Sequence, residues 1–362
     1  MVSQDATLQV ELAERAGWLN DGAAGHHVGE SLAQLAASGY LGLGVPESLG
    51  GAGGNLLNVV QAIATVSEQC LTSGFVFWCQ RAFIEYVAAS DNTWLQAELL
   101  PQMLQAKRSG ATGLSNAMKF LAGIEQLRIQ ATLDATTVTL NGFLPWASNL
   151  QPENFVVAIA AQTSDGRSLV VAVPSSASGL TRGEDLQLLG LQASWTSTLR
   201  FDSVQLPYQW IISDHATIFL PKIRPAFLLM QCGLAWGVAR RSRHEITQSL
   251  NDKNGAALSS RFQQNSITLL MLESQLHHLC SVNANDVTLA QARQLFELRI
   301  ALTRLAVDFV QLELEAKGGA AYLKPSGTAR RLREVSFLPV LTPSLVQLET
   351  ELHRHAQAGN LL

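Results

Sequence analysis

Charge is scarce in this chain. Only 15% of its 362 residues are Asp, Glu, Lys or Arg, against 47% apolar residues. A lone globular surface ordinarily carries more charge, so part of this one is expected to be covered by further subunits. The formal net charge is −4 and there is no long basic run. Nucleic acid and anionic membrane surfaces are therefore excluded as partners. No stretch approaches the roughly 18 uninterrupted apolar residues that mark a bilayer span, so none is expected. The opening MVSQDATLQVELAERAG lacks a basic flank followed by an apolar run, and no secretory signal is expected from it.

Metal-binding patterns are also missing. The four cysteines, Cys70, Cys79, Cys232 and Cys280, form no CxxC pair and sit among apolar residues. That suits buried thiols in a reducing compartment, the cytoplasm. His26-His27 and His277-His278 are adjacent pairs, which point to different sides of a helix and make no chelate. His353 and His355 have no cysteine near them. No metal site is expected.

What is present is a change of period along the chain. Residues 1–110 read as helical, with an apolar face over 31–38 that stops at Gly39. The loop VPESLGGAGG (45–54) follows, where Pro46 and the glycines forbid regular structure. Helical spacing resumes over 55–69 and 80–89, and Pro101 is expected to open a short helix, PQMLQAKRSG, ending at Gly110. From 111 the period becomes two. Leu127, Ile129, Ala131 and Leu133, then Val138 and Leu140 after a turn at Asp134-Ala135, predict a hairpin. NFVVAIAAQ (154–162) and SLVVAVP (168–174) predict a second, and STLRFDSVQLP (197–207) a further strand. Helical spacing returns from about 216, over 220–250 and 261–281. In Leu295, Leu298, Leu302, Leu305, Phe309 and Leu312 the 3- and 4-residue steps alternate, the seam of a bundle helix. It stops at Gly318-Gly319. The expected fold is α+β: an N-terminal helical domain (1–110), a middle β-barrel or sandwich domain (111–214) and a C-terminal four-helix bundle (215–362).

Four segments, in order, resemble motifs of the acyl-CoA dehydrogenase superfamily. They are GYLGLGVPESLGGAGG (39–54), GFLPWASN (142–149), GLQASWTSTLRFDSVQLP (190–207) and GGAAYLKPSGTARRLREVSFLPV (318–340). The resemblance implies that family's fold over nearly the whole chain. It also implies bound FAD, homodimers or homotetramers, and a small-molecule substrate such as an acyl-CoA. The cofactor-binding residues it implies are Ser115, Trp146, Ser148, Gly318, Gly319 and Ser344. Trp146 supplies a flat apolar wall and Ser148 a hydroxyl or backbone N–H. Taken outside the family, Trp146 reads as a core aromatic at a strand end.

The chain departs from the family pattern at the chemistry. Dehydrogenation of an acyl thioester needs a base for the α-proton. The family's usual glutamate falls at Thr342 here, with Pro343 in place of a glycine. A threonine hydroxyl cannot deprotonate a carbon acid unaided. The alternative family position, just before an arginine on the first bundle helix, is Ile223. Contacts that the family supplies from a neighbouring subunit are altered too. Asn251 and Asn254 stand at its Arg and Phe places, and Glu315 at the glutamine before Gly318-Gly319, where Lys253 or Lys317 could offset the charge. The catalytic residues are thus left unassigned. Three functions stay open: a flavin-dependent oxidoreductase acting on an acyl thioester or related substrate, a flavin-dependent monooxygenase of the same fold, and a non-catalytic relative.

Overall fold

The computed structural model describes residues 2–21, 28–251, 255–282 and 288–358. His26, His27, Lys253 and Asn254 lie outside the described residues, so the readings placed on them are not addressed by the fold. Helices come first: α1 (Val2–Asp21), α2 (Val28–Ala37), α3 (Leu56–Gln69), α4 (Leu71–Ala88) and the short α5 (Leu100–Leu104). Gly39, in the left-handed region at φ 76°, ends the α2 segment as expected. The 45–54 loop contains one 3₁₀ turn, Glu47–Leu49, and a single bridge between Leu43 and Gly53. At α3 the side chain of Asn55 accepts from the Asn58 amide and the Asn58 side chain answers from the Asn55 amide, a capping box.

Two expectations in this part are corrected. Helix α4 begins at Leu71 rather than near residue 80, because Cys70 breaks away into extended backbone and caps a new helix through its sulfur. The helix opened near Pro101 ends at Leu104, and Ser109–Thr112 is already a strand, β1. That strand needs no sequence signal of its own, because it pairs in parallel with a long inner strand, from Ser109 opposite Phe155 to Thr112 opposite Ala158.

The sheet then assembles from β2 (Ile129–Leu133), β3 (Thr137–Ala147), β4 (Phe155–Thr163), β5 (Ser168–Pro174), β6 (Leu180–Asp185), β7 (Ser197–Pro207) and β8 (Ile211–Ser213). Its order is β6-β7-β3-β2-β4-β5-β8, with β1 also on β4. Both predicted hairpins form, β2–β3 and β4–β5. A helix, α6 (Ser115–Leu121), stands between β1 and β2. Strands β4 and β5 read as unbroken apolar runs because both of their faces are buried. Val157, Ile159, Leu169 and Val171 enter a core shared with β1, β2, β3 and β7. Val156, Ala158, Val170 and Ala172 enter the core they share with the helices. Strand β6 was not expected. Its residues LTRGED carry no alternation, and none of them is buried.

The C-terminal part holds α7 (Ala216–Ser249), α8 (Gly255–Cys280), α9 (Leu289–Lys317), α10 (Gly327–Val335) and α11 (Leu345–Ala358). All six seam residues of α9, from Leu295 to Leu312, are buried. Helices α3 and α7 approach closely at small residues. A β-carbon on Gly237 would stand 2.2 Å from the Ala64 carbonyl oxygen, so any side chain there would drive the helices apart. By length and composition α7 alone among the described helices could cross a bilayer, but 72% of its apolar window is buried inside the protein. It is the central helix of the core. The mixed architecture, helices then sheet then helices, is the α+β fold expected.

Candidate active site

A cavity of ≈ 350 Å³ opens where the sheet meets the helices before and after it. Its walls are mainly aromatic and aliphatic: Phe75 and Trp78 from α4, Phe227 from α7, Phe337 after α10, Trp146 from β3 and the loop 188–191. The rings pack on one another. Trp78 lies edge-on to Phe227 at 5.0 Å between centroids, and Phe75 edge-on to Phe337 at 5.0 Å. Trp146 differs from the other rings of the wall in being 59% exposed. The core-aromatic reading of this residue is therefore wrong, and its indole is a free wall of the cavity.

Hydroxyls line the polar side. Ser148 Oγ and Thr196 Oγ1 are 2.7 Å apart, and Thr196 Oγ1 and Ser194 Oγ 2.8 Å apart. The turn carrying Ser194 and Thr196 is held in a costly shape, with Leu191 at φ 58° and Trp195 at φ 50°. Three bonds fix it. Asn20 Oδ1 accepts from the Leu191 amide at 3.2 Å. The Asn149 amide donates to the Ser194 carbonyl at 2.9 Å and the Leu150 amide to the Trp195 carbonyl at 3.1 Å. Also on the wall, Ser115 Oγ donates to Thr342 Oγ1 at 3.1 Å.

Charge is almost absent from the wall. Among the described residues lining it there is no carboxylate, and Arg333 is the lone cation. Arg333 Nη2 donates to Asp21 at 2.9 Å and Nη1 to the Ala329 carbonyl at 3.1 Å. Cys79 also lines the cavity, and burial pushes its thiol far up, so it stays protonated and serves neither as base nor as nucleophile. Ile223, the alternative base position, is buried in the helical core and is not part of the wall.

Of the residues implied by the resemblance, the fold brings Ser115, Trp146, Ser148 and Thr342 to this one cavity. It does not bring Gly318, Gly319 or Ser344 there. Gly318 is the C-terminal cap of α9 at φ 69°, and Gly319 opens the next 3₁₀ turn. Ser344 Oγ accepts from the Gln347 amide at 3.2 Å and caps the start of α11. Near Gly318 the charges are consumed internally. Glu315 accepts from Arg261 at 3.0 Å, and Lys317 is bonded to Glu245. Lys317 is thus not held in reserve for a phosphate. Phe75, Trp78, Phe227, Phe337, Arg333 and the 188–191 loop were not expected at the site. The i, i+3 aromatic pair in GFVFW was the available signal for the first two.

The comparisons agree on a fold. Residues 5–107 match the model "Acyl-CoA dehydrogenase, N-terminal domain". A Bacillus subtilis protein named "Probable acyl-CoA dehydrogenase YngJ" is 21% identical over 335 residues, covering 86% of this chain and 85% of that protein. The structure of butyryl-CoA dehydrogenase from Megasphaera elsdenii superposes with a TM-score of 0.83 at 15% identity, covering 96% of this chain and 94% of the other. This is the acyl-CoA dehydrogenase fold. A dibenzothiophene monooxygenase from a Paenibacillus species shares that fold too, with a TM-score of 0.78 and 18% identity over 99% of this chain and 96% of the other.

The fold implies a flavin, and the cavity can be tested for one. An isoalloxazine needs a flat apolar wall and donors along one polar edge. Exposed Trp146 beside the Ser148–Thr196–Ser194 hydroxyls meets that need. The ring portion of a flavin fits.

Proposed function

We propose that this protein is a flavin-dependent oxidoreductase of the acyl-CoA dehydrogenase kind, acting on an acyl thioester or a related apolar molecule in the cavity. The observation that carries this reading is Trp146, a large aromatic left 59% exposed at the mouth of an aromatic-walled cavity. An indole in that state is stabilised by a ring laid against it. FAD is the flavin proposed. When bound it supplies two-electron redox chemistry. Trp146 would hold its ring, and Ser148 and Thr196 its polar edge. Phe75, Trp78 and Phe227 exclude water and take the apolar body of the substrate. The absence of a carboxylate from the described wall favours, as second reading, an oxygen-dependent monooxygenase. Oxygenation takes no α-proton and needs no such base. Homodimers or homotetramers belong to the same proposal. Ile267, Leu270 and Met271 leave one face of α8 apolar and more than half exposed, which supports it.

The test is the visible spectrum of the purified protein, before and after incubation with FAD and removal of the excess. A yellow protein with one flavin per chain supports the proposal. A protein that stays colourless overturns the proposal that flavin is held here.

A further inference from the structure

Thr342 is held by a relay that starts away from the cavity. Arg299, on α9, is fully buried. Its Nε donates to Gln231 Oε1 at 3.1 Å and its Nη2 to the Leu338 carbonyl at 3.1 Å, while Nη1 is bonded to the Thr303 hydroxyl. None of these partners is a carboxylate. Burial draws its pKa down to about 10, which leaves the guanidinium cationic near neutrality. Gln231 is equally buried and passes the contact on, Nε2 to the Thr342 carbonyl at 2.8 Å. One buried cation therefore fixes the segment 338–342 at both ends.

The other end of the relay is the cavity wall. A hydroxyl has one proton and two lone pairs. Ser115 Oγ fills one lone pair of Thr342 Oγ1. No protein acceptor takes the Thr342 proton among the described residues, although Thr342 lines the cavity. A hydroxyl that receives a hydrogen bond is polarised and donates its own proton more strongly.

We propose that Thr342 is a hydrogen-bond donor to an oxyanion bound in the cavity, with Arg299 and Gln231 as the positioning residues that aim it. The ligand class is an apolar, aromatic body bearing a phenolic oxygen, bound as the phenolate that forms in water without a base from the protein. The threonine then does the reverse of a base: it takes no proton, and it stabilises negative oxygen in a site with little water. The inference rests on the cavity being the reaction site, and does not require that flavin be retained.

The test uses para-nitrophenol, whose phenolate is coloured, titrated with pH in the presence of the purified protein. The expected result is a bound probe that ionises about one pH unit below the free probe, a tenfold preference for phenolate over phenol. Thr342→Val abolishes the shift and Thr342→Ser keeps it. Arg299→Gln reduces it, and where that variant does not fold, Gln231→Leu takes its place. The other titratable groups of the wall are Arg333 and Cys79. A shift lost in Arg333→Gln but unchanged in Thr342→Val overturns the proposal, as does an unshifted or unbound probe. A colourless protein that shifts the probe refutes the flavin reading alone. A yellow protein that does not shift it refutes the threonine alone.

Discussion

Ser115 and Thr342 lie 227 residues apart in sequence, and their hydroxyls meet at 3.1 Å on the wall of one cavity. Ser115 is the first residue of α6, and Thr342 follows α10. The contact joins the sheet's inserted helix to the C-terminal helices at the place where the family's base is expected. Two hydroxyls there give hydrogen bonding without proton abstraction.

Trp146 separates cofactor retention from stability. Because its indole is 59% exposed, Trp146→Ala should change unfolding stability by no more than about 0.5 kcal/mol, as for other exposed positions. Flavin retention should fall severalfold. Urea unfolding and flavin fluorescence on the same preparations check this. A variant that melts early yet keeps full flavin would restore the core reading.

A buried ion pair ties α11 to α7. Arg224 Nη2 donates to both carboxylate oxygens of Glu351, at 2.7 and 2.8 Å, and both residues are buried. Arg224 also stacks over Phe296 at 4.7 Å. Glu351→Gln should destabilise by about 3–5 kcal/mol, because it strands a buried cation. Arg224→Met combined with Glu351→Met should cost much less than the sum of the single changes. Denaturant unfolding of the four proteins in the cycle decides it, and additive losses would count against the pair.

Glu245 sets part of the acid limit. Burial raises its pKa, but the Lys317 hydrogen bond and the charges of Arg331 and Arg241 outweigh that and hold it at about 2, against an ordinary 4.5. A folded-state pKa below the unfolded one contributes stability above the unfolded value and loses it as pH falls through the folded one. This contribution should be whole above pH 4.5 and vanish between there and about 2. Glu245→Gln should lower stability at neutral pH and flatten the decline over that window. Thermal melts at a series of pH values measure it. A decline as steep as the wild type's would place the acid sensitivity elsewhere.

Much of this was legible in the chain. The α9 seam was readable because its 3- and 4-residue steps match its buried face, and the β4–β5 hairpin because two unbroken apolar runs flank a polar turn. Strands β1 and β6 were not, since their stability comes from pairing with Phe155–Thr163 and Ser197–Pro207 rather than from their own residues. The same division holds at the site. Trp146, Ser148 and Thr342 were found through motifs. Arg299 and Gln231 were not, because a buried polar residue within an apolar helix pattern gives no sign of what it bonds to. Their partners, Leu338 and Thr342, are supplied by a loop far along the chain.

The central claim, a flavin cavity without a carboxylate base, is tested most directly by adding straight-chain and branched acyl-CoAs to the flavin-loaded protein under anaerobic conditions and following the visible flavin band. General base catalysis typically contributes about 10²–10⁴-fold, so the band should persist on the timescale of ordinary turnover. Thr342→Glu with Pro343→Gly should make it bleach. Rapid bleaching of the wild-type protein by any of these thioesters would contradict the claim and place a working base in the cavity.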